Sequence, residues 1–133
     1  MVFVDTGAFL ARYVARDQFH AEAVKQWKDL GARRWPCFTS SFVLAEVFTL
    51  LARRTEYRFA VMKAREIHDS DRLTILRPGE EEEAEAINWF EKYADQEVSF
   101  VDCLSFALMK RKRLKRVFGF DAHFDRAGFR RFP

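Results

Sequence analysis

Sulfur, proline and glycine are scarce in this chain: its 133 residues include two cysteines, three prolines, five glycines and three histidines. Cys37 and Cys103 stand far apart in apolar surroundings, without C-x-x-C spacing. That pattern excludes a disulfide framework and suits a reduced, cytoplasmic setting. No stretch approaches the roughly 20 apolar residues that cross a bilayer, so no membrane partner is expected. The first residues carry no basic region, and their apolar run breaks at Asp5, so no export signal is read. Neither sign of charge dominates. With 23 bases against 20 acids the net charge is +3, a bias that permits an anionic partner without demanding one.

Apolar and aromatic residues, by contrast, are plentiful. Hydrophobic residues make up 49% of the chain and 15 residues are phenylalanine, which excludes disorder and points to one globular domain over residues 1–133. Short β-branched and aromatic runs alternate with longer segments of helical period, the signature of an α/β fold with a parallel sheet covered by helices. The runs predict strands over 2–5, 36–39, 73–76 and 116–120, with a fifth over 129–132 closing one edge. Helices are expected over 7–14, 19–32, 41–54, 57–69, 80–94 and 101–113. Two charge runs fall at helix ends. The acids from Glu80 to Glu85 occupy a helix start, where they favour the dipole. The KRKRLKR run from Lys110 to Arg116 occupies a helix end, where cations are favoured for the same reason; its Lys110, Arg111, Lys112 and Arg113 are also dense enough to contact nucleic-acid phosphates.

Four carboxylates sit in apolar company. Asp5 is the only acid between Met1 and Arg16, and burying it unpaired would be costly. Glu46 is the only acid between Gly31 and Thr55 and shares a helical face with Val43, Val47 and Leu50. Asp102 is the only acid between Glu97 and Asp121 and lies in a first helical turn, where an N-cap role for it or for Ser99 is the alternative. Asp121 directly follows RVFGF, where a turn or cap role is the alternative. Asp5 and Asp121 would leave the carboxyl ends of parallel strands, where open α/β sheets gather binding residues. Glu46 and Asp102 would sit early in helices that begin at the same edge. Four such acids could not all stay ionised and unpaired. A divalent cation removes the conflict, and oxygen donors suit Mg²⁺ or Mn²⁺ and, through them, phosphate chemistry.

The ordered set VDTGAFLA, SSFVLAEVFTLL, SFVDCLSFALMK and VFGFDAHFDRAGF resembles the PIN-domain ribonucleases and, among them, the compact VapC-type toxins of toxin–antitoxin pairs. The resemblance spans nearly the whole chain. It implies a three-layer α/β/α sandwich with a central parallel sheet of four to five strands, a divalent metal, and endonucleolytic cleavage of RNA leaving a 5′-phosphate. It matches Asp5, Glu46 and Asp102 to the family's three central acids and Asp121 to a more variable fourth, with Asp5, Asp102 and Asp121 as metal ligands. Thr6 matches a hydroxyl position that helps hold a ligand or water, and Asp125 is an accessory acid or a surface helix residue. Gly119 stands where many relatives carry Thr or Ser. The resemblance also implies a small antitoxin with a DNA-binding domain, which could lay its tail in a groove of the helices near 7–14, 19–32 and 57–69 and place an Arg among the acids. A homodimer is the expected free form.

Other readings are weaker. A receiver needs paired acids after the first strand and a HAD-type phosphatase needs D-x-D, whereas Asp5 is followed by Thr6 and Gly7. A PIN-like module without activity, or a PIN nuclease of RNA processing, remains an alternative. His123 is expected to pack or hydrogen-bond, His20 and His68 to lie on helix surfaces, and Cys103 to lie in the core.

Overall fold

The computed structural model describes residues Met1–Pro133. Five short parallel strands form one sheet: β1 (Val2–Val4), β2 (Cys37–Ser40), β3 (Leu73–Leu76), β4 (Arg116–Phe118) and β5 (Arg130–Arg131). Their order across the sheet is β3-β2-β1-β4-β5. The chain therefore steps one way from β1 to β2 and β3, then returns to the other side of β1 for β4 and β5. That reversal makes the carboxyl ends of β1 and β4 the switch point of the sheet, where its edge opens into a crevice. Val2, Phe3 and Val4 have no exposed surface, as expected of a central strand covered on both faces.

Helices flank the sheet in two packed groups. Helices α1 (Thr6–Tyr13), α2 (His20–Arg33), α3 (Ser41–Arg54) and α4 (Tyr57–His68) form one, and α5 (Glu80–Lys92), α6 (Phe100–Arg111) and the short α7 (His123–Arg126) form the other. Two strands run into helices almost without a loop. Asp5 alone separates β1 from α1, and Ser40 both ends β2 and caps α3, its hydroxyl accepting from the Val43 amide at 3.1 Å. The buried Thr39 hydroxyl donates to the Val4 carbonyl at 2.8 Å, locking β2 to β1 beside that junction.

Helix α6 is central. Every residue from Asp102 to Met109 is buried, the mark of a helix packed on all sides rather than along one stripe. Phe106 anchors it: its ring meets Trp89, Tyr93, Phe124 and Phe129 with centroids 5.1 to 6.1 Å apart.

The expected elements are present, with shifts at their ends. Strand β1 stops at Val4 and β4 at Phe118, because Asp5, Gly119 and Phe120 turn out of the sheet toward the crevice. The Asp5 amide still donates to the Phe118 carbonyl at 2.9 Å. The edge strand expected over 129–132 is two residues long, flanked by bonds from Arg130 to Lys115 and from Phe132 to Val117. Helix α7 was not anticipated; one turn is too short to show a period, and its one buried residue is Phe124.

Replacing Phe106 with Ala is expected to cost about 3 to 5 kcal/mol, the range for emptying an aromatic core position. Urea denaturation of the two proteins measures the difference.

Candidate metal centre

The four isolated carboxylates meet in one cleft of about 530 Å³ at the switch point, lined also by Thr6, Phe19, Arg54, Ser99, Phe120 and His123. Asp5 follows β1 directly and is buried, 4% exposed. Glu46 reaches the cleft from the second turn of α3, and Leu50 and Arg54 follow it on the same face at four-residue steps. Asp102 comes from the first turn of α6, where the Ser99 hydroxyl accepts from its amide at 3.1 Å. The cap is thus Ser99, and the carboxylate of Asp102 is left free to face the cleft. Asp121 leaves β4 through Gly119 and Phe120 and is the exposed member of the set.

The crowding has an electrostatic cost. Burial pushes the Asp5 carboxyl well above the usual range, and the charges of Asp102, Glu46 and Asp121 push it further against the lowering effect of a backbone hydrogen bond. Burial and Asp121 likewise raise Asp102 to about 6, although His123 pulls the other way. One oxygen of Asp5, Oδ1, is buried without any hydrogen-bond partner, and so is the Thr6 hydroxyl beside it. Buried polar atoms left in this state are rare, and beside a cluster of carboxylates they fit a place for a ligand or ion.

His123 ties two of the acids together. Its Nδ1 lies 3.1 Å from Asp121 Oδ1 and 3.4 Å from Asp102 Oδ2, and its amide donates to Asp121 Oδ1 at 2.9 Å. Donor atoms of Asp102, Asp121 and His123 all lie within 4.8 Å of one another, close enough to share an ion. The hydrogen-bonding role expected of His123 is what the geometry shows. Its place among the possible ligands was not expected, since it became visible only when α7 turned the ring back over Asp102.

Gly119 has a steric reason. A Cβ there would stand 3.0 Å from Asp5 Cβ and 3.4 Å from Asp5 Oδ2, so its absence lets the end of β4 close against Asp5.

Other expected residues lie elsewhere. Asp125 is exposed and pairs with Arg131 at 2.7 Å, outside the cleft. Lys110 to Arg113 stand at the far end of α6 from Asp102. There Arg111 is held by Glu81 at 2.9 Å and Glu85 at 2.8 Å, and the Lys110 ammonium lies 5.5 Å from the Phe129 ring centre. Lys112 and Arg113 remain exposed. Cys103 is buried, its thiol pushed up to about 11 by burial and the Asp102 charge, and so stays protonated. His20 is more than a surface residue: its Nδ1 meets the Ala11 carbonyl at 2.7 Å and ties the start of α2 to α1. Asp17, Gln18, Phe19 and Arg54 also line the cleft; no spacing in the sequence linked them to the acids.

Comparison with known proteins agrees with this geometry. The PIN domain family matches residues 2–130. The 23S rRNA-specific endonuclease VapC20 of Mycobacterium tuberculosis is 37% identical over 130 residues, covering 97% of this chain and 95% of that protein. The crystal structure of Mycobacterium tuberculosis VapC20, a sarcin–ricin loop cleaving toxin, superposes with a TM-score of 0.86 at 36% identity over 97% of this chain and 96% of that one. FitAcB from Neisseria gonorrhoeae shares the fold at a TM-score of 0.68 and 19% identity, over 100% of this chain and 97% of that chain. The chain belongs to the PIN-domain family. Within it, this is a VapC-type toxin endoribonuclease.

Nucleases of the family use a divalent metal, and the residues here fit one. The orphaned Asp5 oxygen and the Asp102, Asp121 and His123 donors offer the charge and the mainly oxygen ligands that a hard cation takes.

The raised acids set a pH dependence. Asp102 holds its proton up to about pH 6 in the folded chain but only to about 3.9 when unfolded. The folded state therefore binds more protons between these values, and its relative stability falls as pH rises through them. Without divalent metal, the melting temperature of the wild type is expected to fall between pH 4 and 7 relative to an Asp5→Asn/Asp102→Asn variant. Adding Mg²⁺ at pH 7 should raise the wild type alone. Parallel melting curves for the two proteins would show that the acids carry no such cost.

Proposed function

We propose that this chain cleaves 23S rRNA at an exposed loop of the sarcin–ricin type, with Mg²⁺ or Mn²⁺ as its cation. The observation that carries the reading is the identity with VapC20 over 97% of the chain, joined to four carboxylates at one cleft. Bound there, the cation supplies an activated water and offsets charge on the phosphoryl oxygens. Asp5, Asp102 and Asp121 would hold it, and the buried oxygen of Asp5 that lacks a partner supports that role. His123 fixes the carboxylates of Asp102 and Asp121 through its ring and amide. Glu46, half-buried on α3, orients the attacking water, and the Thr6 hydroxyl holds a ligand beside Asp5. Water adds to phosphorus, the P–O3′ bond breaks, and the products carry a 5′-phosphate and a 3′-hydroxyl. Asp125, paired with Arg131, contributes at most to the fold around α7. Lys112 and Arg113 are available to RNA phosphates distant from the cut.

Asp5→Asn, Glu46→Gln and Asp102→Asn are each expected to lower cleavage of a synthetic sarcin–ricin hairpin by roughly a hundredfold or more while the proteins stay folded, the loss typical of removing a group that stabilises the transition state. Full activity in Asp5→Asn or Asp102→Asn would sink the site assignment. Mapping RNA 5′ ends after brief induction in cells locates the natural cut.

The same reading gives the protein an antitoxin, a small chain with a DNA-binding domain. A second cleft, of about 560 Å³, runs beside α1, α2 and α4 and is lined by Tyr13, Trp27, Leu30 and Ile67 together with Arg12, Arg34 and Arg72. An amphipathic tail fits such a wall, where Glu66 and Asp71 stand among the arginines, and an Arg beyond it would pair with the carboxylates of the acidic cleft. The free form is a homodimer acting in the cytoplasm, where its substrate resides. Co-expression with the adjacent reading frame is expected to yield a complex inactive on the hairpin until the partner is digested. Recovery of no partner, together with unimpaired growth when the chain is expressed alone, would overturn the toxin–antitoxin reading.

A further inference from the structure

The wall of the acidic cleft carries an apolar feature that metal chemistry does not need. Phe19 and Phe120 stack there with centroids 4.5 Å apart and planes 4° from parallel. Phe120 packs on the core and meets Phe118 edge-on at 6.3 Å. Phe19 does not join the core; it is half-buried in the α1–α2 loop, with Phe120 as its aromatic partner.

That loop is pinned. The Phe19 amide donates to Asp17 Oδ1 at 2.8 Å, and Arg16 donates to the Arg54 carbonyl at 3.1 Å. His20, the next residue, is held by its ring against the Ala11 carbonyl. A ring fixed in this way gives up little freedom when something lies against it. Arg54, the one Lys or Arg lining the cleft, is exposed, and its carbonyl is the acceptor that anchors the loop carrying Phe19.

An aromatic face, a cation and a cluster of carboxylates side by side match the parts of a nucleotide: a base to stack, a phosphate to pair and a scissile bond to reach. We propose that Phe19, backed by Phe120, is the stacking platform for one unpaired base next to the cut, and that Arg54 holds the phosphate attached to it. Unpaired RNA bases are commonly read by splaying them onto aromatic rings. Phe19 is then a substrate-positioning residue, and the loop from Val14 to Phe19 sets which nucleotide lies at the site. The proposal rests on the RNA-cleaving reading above.

The test uses a hairpin RNA carrying 2-aminopurine at successive loop positions. Bound to the cleavage-deficient Asp102→Asn protein, one position should lose fluorescence by stacking, and Phe19→Ala in that background should restore it and weaken binding roughly tenfold or more. Phe19→Tyr should keep the signal. Phe19→Leu, apolar but without a π face, should lose it, which separates stacking from packing if the Ala variant folds poorly. In the otherwise wild-type protein, Phe19→Leu and Arg54→Ala should raise KM for the hairpin more than they lower kcat. If Leu serves as well as Phe, or no loop position responds to residue 19, while Asp5→Asn still abolishes cleavage, the platform is overturned and the nuclease reading stands. If the wild type cuts no RNA at all, both fall.

Discussion

Everything at this protein's functional edge follows from the repulsion between carboxylates that the fold brings together. Asp5 cannot move away, because it is one residue long as a connection: β1 ends at Val4 and α1 begins at Thr6. Asp102 cannot move either, since it is carried by the first turn of a helix buried from there to Met109. The aromatic packing around Phe106 is therefore part of what holds one acid against the others. Core energy is converted into electrostatic strain at the cleft, and a cation relieves it. The sheet and α6 fix these carboxylates by packing, so a cation would meet a site already formed.

The arrangement also explains a division among the acids. Asp5 and Asp102 are buried, whereas Asp121 is exposed and Glu46 half-buried. A fully buried set would resist ionisation too strongly to hold a cation at neutral pH, and a fully exposed set would be hydrated and weak. Between these limits, the two buried acids would favour a bound cation, while the side of Asp121 stays open to solvent. His123 stands at the boundary, its Nδ1 3.4 Å from Asp102 Oδ2 and 3.1 Å from Asp121 Oδ1.

Much of this was legible in the sequence because a lone acid in an apolar stretch is conspicuous. Asp5, Glu46 and Asp102 each stood alone in their windows, and strand–helix alternation was enough to bring them to one edge. The parts that were not legible depend on tertiary geometry or on short elements. Helix α7 is a single turn, too short for a period, and without it His123 had no direction. The basic run from Lys110 to Arg113 was conspicuous too, but position along α6 takes it to the end opposite Asp102. There Glu81 and Glu85 of α5 neutralise Arg111, a pairing across 26 or more residues of chain that no local pattern contains. Strand ends moved for a related reason: Gly119 and Phe120 read as strand by composition but leave the sheet where the chain passes close against Asp5.

Phe19 was the least legible residue of the cleft. In sequence it is one of 15 phenylalanines, and composition favours the core for any of them. What distinguishes it is that the core is already filled by Phe3, Phe9, Phe106, Phe118, Phe124 and Phe132, leaving a further ring to be placed by its loop. The loop is short, bonded to α1 and α3 at separate points, and so delivers an apolar face to an otherwise polar wall. If the charge at the switch point is the reaction centre, the residues around it are the ones placed to choose the substrate. In a fold whose sheet fixes the acids, a substitution in that loop would alter the wall of the cleft while leaving Asp5 and α6 in place.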